Sequence, residues 1–249
     1  MKQTDTHTYI YGRHPVMEAL MHRPDCVEAV FLIAESKDAH LQSLITEHNI
    51  AQEVLYPKQL PGGLERIVVH QGVVARISVS QLTEEYKDFI TAQTPAPNTA
   101  LVVLGEVQDP HNVGAVIRSA AAFGVSGVLV PPHNQAPITG VVAKSSAGML
   151  FRMPIVTIPN VNTTLRDLKE RGFWIYGLDG RADTSVSEEQ FNRPSVFVIG
   201  NEGRGLRKVT AEECDTLLAI PMHERCESLN ASTSAAVILY AWSVQHVVE

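Results

Sequence analysis

The sequence predicts an α/β protein, a mostly parallel sheet with helices on both faces, preceded by a smaller α/β module. Three observations lead there. Beyond residue 100, short uninterrupted apolar runs alternate with stretches of helical character, the pattern of parallel strands buried on both faces. Thr94-Pro95-Ala96-Pro97-Asn98 is small, polar and proline-rich, as linkers are. A chain of 249 residues, 45% hydrophobic and 19% charged, exceeds what one small core needs and is too apolar to be largely disordered.

In the first part, 27–33 and 73–78 read as strands and 15–21 and 38–48 as helices, a module spanning 1–80. Gly72, after His70-Gln71, marks either a tight turn or an RNA contact. A short helical pattern over 84–92 runs into the proline-rich stretch, so 81–98 is expected to be a linker and 99–249 the second domain. Strands are expected there at 101–107, 127–130, 174–178, 195–199 and 217–220. Open parallel sheets bind ligands at the carboxyl ends of their strands, so chemistry is to be sought just after these runs.

Acids outnumber bases 27 to 20, a net charge of -7, which by itself argues against a nucleic-acid partner. No segment is basic: 1–80 carries 7 bases against 9 acids, 81–98 carries 1 against 3, and 99–249 carries 12 against 15. Any RNA must therefore be held by local clusters such as Arg204, Arg207 and Lys208 and by shape. Cys26, Cys214 and Cys226 form no CxxC pair and are odd in number, which points to a reducing cytoplasm. The polar opening over 1–9 has no signal-peptide core. The long uncharged stretches 119–143 and 231–248 are broken by prolines or polar side chains, so no membrane span is expected.

Three strand-end loops stand out. The first, Asp109-Pro110-His111-Asn112-Val113-Gly114, leads into a helix over 113–123 with Asn112 as its expected N-cap. Arg118 on that helix sits among Val116, Ile117 and Ala120 to Ala122, a setting costly for a cation. It is either a structural salt bridge or an arginine aimed at a phosphate or a reacting oxygen. The second loop, Gly200-Asn201-Glu202-Gly203-Arg204-Gly205-Leu206, is neither a Walker loop nor a GxGxxG dinucleotide fingerprint. Its glycines allow a ligand to approach main-chain amides, and Glu202 has few packing reasons to be there. Downstream, Thr210 and Glu213 have capping-box spacing. The third loop runs Pro221-Met222-His223-Glu224-Arg225-Cys226-Glu227 before Ser228-Leu229-Asn230-Ala231-Ser232, and an almost wholly apolar helix, central or at an oligomer interface, begins at about 229. Ser228 and Asn230 either cap it or act chemically. His223 and Cys226 lack the partners that a metal or nucleophile site needs.

Together, DPHNVGAVIRSAAAFG at 109–124, VIGNEGRGL at 198–206 and IPM followed by SLNAS at 220–232 resemble the SpoU (TrmH) family of RNA ribose 2′-O-methyltransferases. YIYGRHPVMEAL at 9–20 and HQGVVA at 70–75 are similar to the branch with an N-terminal RNA-binding module like certain ribosomal proteins, some members of which methylate a guanosine of 23S ribosomal RNA. The resemblance implies a SPOUT sheet with a trefoil knot, a homodimer, S-adenosylmethionine as cofactor and no metal. It places Gly200, Ile220 and Leu229 at the cofactor, with Asn201, Gly205 and Met222 in the same two loops. Arg118 matches the catalytic arginine, and Asn112, Glu202, Ser228 and Asn230 match the remaining functional positions. Since arginine stays protonated, Arg118 is expected to fix a phosphate or stabilise the developing alkoxide, with Asn112 and Asn230 holding it or the ribose and Glu202 orienting the arginine or accepting from the substrate.

The chain departs from the family in its third loop, where the charged run 223–227 replaces a small, glycine-containing one, and at Ala231, usually valine. Two other readings accompany the first: the same reaction on transfer RNA, and a noncatalytic RNA-binding or ribosome-assembly factor that keeps the knot.

Overall fold

The structure is a computed structural model that describes residues 7–34, 38–56, 59–64 and 69–246. The opening residues 1–6 and the end of the last apolar stretch, 247–249, lie outside the described residues. The first unit runs β1 (His7–Tyr11), α1 (Arg13–His22), β2 (Val27–Leu32), α2 (Ala39–Glu47), β3 (Ala51–Val54) and β4 (Val73–Ser78). Its sheet has the order β1-β4-β2-β3, with β4 antiparallel to both neighbours and β3 parallel to β2. Helix α2 starts where Asp38 accepts from the Leu41 amide at 3.2 Å. Before β4 the chain turns through positive φ at Gln71 (50°) and Gly72 (77°), and Gln71 Oε1 accepts from the Arg13 amide at the start of α1. The turn at Gly72 thus has a structural reason of its own.

Next come α3 (Val79–Leu82), β5 (Glu84–Glu85) and α4 (Tyr86–Ala92). The stretch read as a linker is in large part folded against the second unit: the two residues of β5 pair with β8 (Ile155–Thr157), and α4 buries Phe89 and Ile90 in that unit's core. A two-residue edge strand is too short to leave a periodic signal.

The second unit continues with β6 (Ala100–Leu104), α5 (Pro110–Ala122), β7 (Gly127–Val130), α6 (Gly140–Ser145), β8, α7 (Val161–Glu170), β9 (Trp174–Leu178), β10 (Thr184–Ser185), β11 (Ser195–Ile199), α8 (Lys208–Ala211), β12 (Thr216–Ala219) and α9 (Ala231–Ser243). Its sheet has the order β10-β12-β9-β11-β6-β7-β8-β5, and all the pairings are parallel. Alternation along β6 shows why its sequence is apolar without a break. Ala100, Val102 and Leu104 pack with α5 and α9, through residues such as Ile117, Ile238 and Trp242, while Leu101 and Val103 pack on the opposite face with Phe89, Leu165 and Leu168. Stretch 119–143 holds the end of α5, β7 and the start of α6. Among the described residues, no helix is long and apolar enough to cross a membrane.

The two units meet closely. Arg152 grips the buried Glu18 carboxylate through Nε (2.6 Å) and Nη2 (2.9 Å). A Cβ on Gly140, at the start of α6, would lie 2.5 Å from the Tyr9 carbonyl oxygen and 2.6 Å from the Tyr11 ring. Gly140→Val should therefore push the units apart and cost about 1–3 kcal/mol, as overpacking does. Urea unfolding of the variant beside the parent measures this.

Candidate functional site

The β6–α5 loop reaches its position by a cap one turn earlier than expected. Asp109, not Asn112, caps α5: its Oδ1 accepts from the His111 amide at 2.8 Å, and Pro110 fills the first helical position, where no amide is needed. This moves Asn112 inside the first turn, 6% exposed, with Nδ2 donating to Glu202 Oε1 at 3.0 Å.

Glu202 is the hub of the site. Oε1 also accepts from the Asp109 amide (3.3 Å), while Oε2 faces the Gln108 amide (3.5 Å) and Asn201 Nδ2 (3.4 Å). All four acceptor positions of the carboxylate are thus met by the chain itself. Burial pushes the Glu202 carboxyl up, but donation from Asn112 and from backbone amides outweighs it and leaves the group below its ordinary value. It stands ionised at the N-terminus of α5, where the helix dipole favours a negative charge.

The glycines of the second loop close a tight ladder. Asn201 and Gly205 exchange both backbone hydrogen bonds (3.0 and 2.9 Å), with Gly205 at φ 65°. Asn201 Oδ1 accepts from the Gly203 and Arg204 amides, and its Nδ2 donates to the Glu106 carbonyl oxygen. A Cβ on Gly200 would sit 2.5 Å from the Gly205 carbonyl carbon. In the third loop Asn230 caps α9, its Oδ1 accepting from the Ser232 amide (2.8 Å) and hydroxyl (2.6 Å). Ser232 Oγ also lies 3.4 Å from Asn112 Oδ1, so hydrogen bonds join the three loops in one chain. His223 Nδ1 accepts from the Arg225 amide, and the Cys226 thiol donates to the Ser228 carbonyl oxygen. Burial pushes the thiols of Cys26 and Cys214 up to about 12, so neither is a nucleophile.

A cavity of about 230 Å³ opens at the carboxyl ends of β9, β11 and β12. Gly200, Asn201, Glu202, Gly205, Ile220, Met222, Ser228 and Leu229 all line it, whereas buried Asn112 and exposed Asn230 do not, and belong to the hydrogen-bonded chain beside it. Leu178, Asp179 and Gly180 also line it, although the sequence had drawn no attention to them. Leu178 ends the recognised strand 174–178 and Asp179 and Gly180 follow it, so the strand-end rule finds them.

Arg118 stands apart. It is exposed on the stripe His111, Arg118 and Ala122 of α5, about 9 Å along the axis from Asn112. The expected cost of burial therefore does not arise, and among the described residues no salt bridge holds it. Of the basic cluster at 204–208, Arg207 pairs with Glu106 and Lys208 lies near Glu212. The side chains of Arg118, Arg204 and Arg225 have no hydrogen-bonding or ionic partner among the described residues, and each comes from one of the three loops or the helix that follows it. The Thr210 and Glu213 pair is no capping box: Thr210 donates to Asn162 Oδ1 and Glu213 pairs with Arg166.

Residues 99–240 match the SpoU rRNA methylase family, and residues 9–83 match the family described as RNA 2′-O ribose methyltransferase substrate binding. The chain is 35% identical over 244 residues to the 23S rRNA (guanosine-2′-O-)-methyltransferase RlmB of Shewanella oneidensis, covering 96% of this chain and 97% of that one. It is 37% identical over 238 residues to the RlmB of Xylella fastidiosa, at 93% and 94% coverage. It is also similar to the crystal structure of the SpoU methyltransferase AviRb from Streptomyces viridochromogenes in complex with the cofactor AdoMet, with TM-score 0.82, 26% identity, and 97% and 91% coverage.

Proposed function

Because the chain belongs to the SpoU family of RNA 2′-O-ribose methyltransferases, we propose that it methylates the ribose 2′-hydroxyl of a guanosine in 23S ribosomal RNA, using S-adenosylmethionine. The observation that carries this is the convergence of the second and third loops and the end of β9 on one cavity, with ionised Glu202 on its wall tying the first loop to it. The residues present fit the cofactor. Gly200 lets the backbone of Gly205 and Leu206 pack close behind it and so shapes the cavity wall, Leu178, Ile199, Leu218 and Leu229 offer apolar walls, and the carboxylate of Glu227 suits a cationic ligand. Bound S-adenosylmethionine supplies a methyl carbon activated by the adjoining sulfonium.

The chain's own groups must then align the ribose hydroxyl and stabilise the charge that develops on its oxygen. We assign part of this to Asn230, whose Oδ1 is occupied by capping and whose Nδ2 can donate. The Ser228 hydroxyl, on the cavity wall, is a second donor. Glu202, with its acceptor positions filled, holds Asn112 and the first loop rather than taking the proton. We assign Arg118 to an RNA phosphate, as its exposure allows. Arg118→Ala should lower methyl transfer at least tenfold, as loss of a charge-stabilising or positioning contact does, with calorimetric affinity for S-adenosylmethionine unchanged. An unchanged transfer rate would remove Arg118 from the mechanism.

The module over 1–80 is assigned to substrate RNA, the knot to the C-terminal part and the reaction to the cytoplasm. The chain segment between β12 and α9 walls the same cavity as the loop after β11, which is consistent with a knot. A homodimer would cover the exposed Val237 and Tyr240 on α9 and Val244 just past its end. Methyl transfer to undermethylated 23S ribosomal RNA, compared with bulk transfer RNA, tests the substrate: preferential labelling of transfer RNA overturns it.

A further inference from the structure

We infer that Ser232 is a positioning residue for methyl transfer, acting through Asn230 and Asn112; the inference rests on the methyltransferase reading above. Ser232 has no counterpart among the site residues deduced from sequence and does not line the cavity. Yet its side chain joins the first loop to the third. Its hydroxyl lies 2.6 Å from Asn230 Oδ1 and 3.4 Å from Asn112 Oδ1.

The Asn112 side chain is buried, its Nδ2 is committed to Glu202, and Ser232 Oγ is the hydrogen-bonding group that faces its Oδ1. At Asn230 the Ser232 amide alone completes the helix cap. The hydroxyl bond is therefore surplus to capping. A second bond to the same oxygen fixes the rotation of the amide group, and so the direction in which Nδ2 points. Two acceptors thus share one hydroxyl proton, which couples the orientation of Asn230 to that of Asn112 and, through Asn112, to Glu202. Site groups held only loosely lose rate before they lose binding, because a misplacement of about 1 Å can cost up to about a hundredfold.

The test is Ser232→Ala and Ser232→Thr in the full chain. Alanine keeps the backbone amide, and so the cap. Threonine restores a hydroxyl. For Ser232→Ala, kcat should fall about tenfold, a partial form of that loss, while KM for RNA, calorimetric affinity for S-adenosylmethionine and Tm stay at parental values. Ser232→Thr should recover most of the rate. A parental kcat in Ser232→Ala overturns the inference, as does a fall matched by lost cofactor affinity or Tm, since that marks a structural role. A parent protein that transfers no methyl group to RNA would instead overturn the methyltransferase reading.

Discussion

Gly200→Ala is expected to weaken S-adenosylmethionine binding by about a hundredfold. The new Cβ would lie 2.5 Å from the Gly205 carbonyl carbon, 2.7 Å from its oxygen and 2.8 Å from the Leu206 amide nitrogen. All three are backbone atoms, so no side chain can swing aside. Relief requires opening the Asn201–Gly205 bridge, which shapes the cavity wall and holds Asn201 against Glu106 and Glu202. Overpacking of this kind costs about 1–3 kcal/mol, and a penalty near the upper end, carried by the bound state, is about a hundredfold in Kd. Gly203→Ala is the control, since its Cβ would find only Asn201 Oδ1, at 3.7 Å. Calorimetry on both variants should show tight binding kept at 203 and lost at 200.

Glu202→Gln should abolish most methyl transfer while preserving side-chain volume. Each carboxylate oxygen faces two donors: the Asp109 amide and Asn112 on one, the Gln108 amide and Asn201 on the other. A glutamine must turn its NH2 group toward one of these pairs, so donor meets donor, and the first or second loop shifts. A loss of about a hundredfold in kcat follows if the shift approaches 1 Å. The same residue governs part of the acid sensitivity. Its folded value lies below the ordinary glutamate value, so its contribution to stability is complete above about pH 4.3 and fades as pH falls through the lower folded value. Thermal melts between about pH 6 and pH 3 should accordingly fall less steeply in Glu202→Gln than in the parent. Equal slopes would show that Glu202 is not the ionised hub described.

The strands of the large sheet were legible because burial on both faces leaves an unbroken apolar run, as in 100–104 and 195–199. Strands β5 and β10, two residues each, were not, because pairing at a sheet edge needs no hydrophobic period. The cap of α5 was misplaced although its signal was present: proline at the first helical position points to Asp109. Arg118 was misjudged because small neighbours in sequence suggested burial, whereas His111, Arg118 and Ala122 recur at the spacing of one exposed helix face. The cavity residues were recovered through the family resemblance, and local context alone left Ser228 and Asn230 between capping and chemistry. For Asn230 the structure shows the cap, made by its side-chain oxygen. Ser232, although part of the SLNAS motif, was given no role, because its contact with Asn112 spans 120 positions, a separation that no local pattern reveals.

The central claim is ribose 2′-O-methylation, and one measurement separates it from every base-directed reaction. Undermethylated 23S ribosomal RNA is incubated with the protein and methyl-labelled S-adenosylmethionine, then hydrolysed in alkali, which needs a free 2′-hydroxyl to cut the chain. The account predicts label in an alkali-resistant dinucleotide that begins with guanosine. Label recovered in mononucleotides would contradict it.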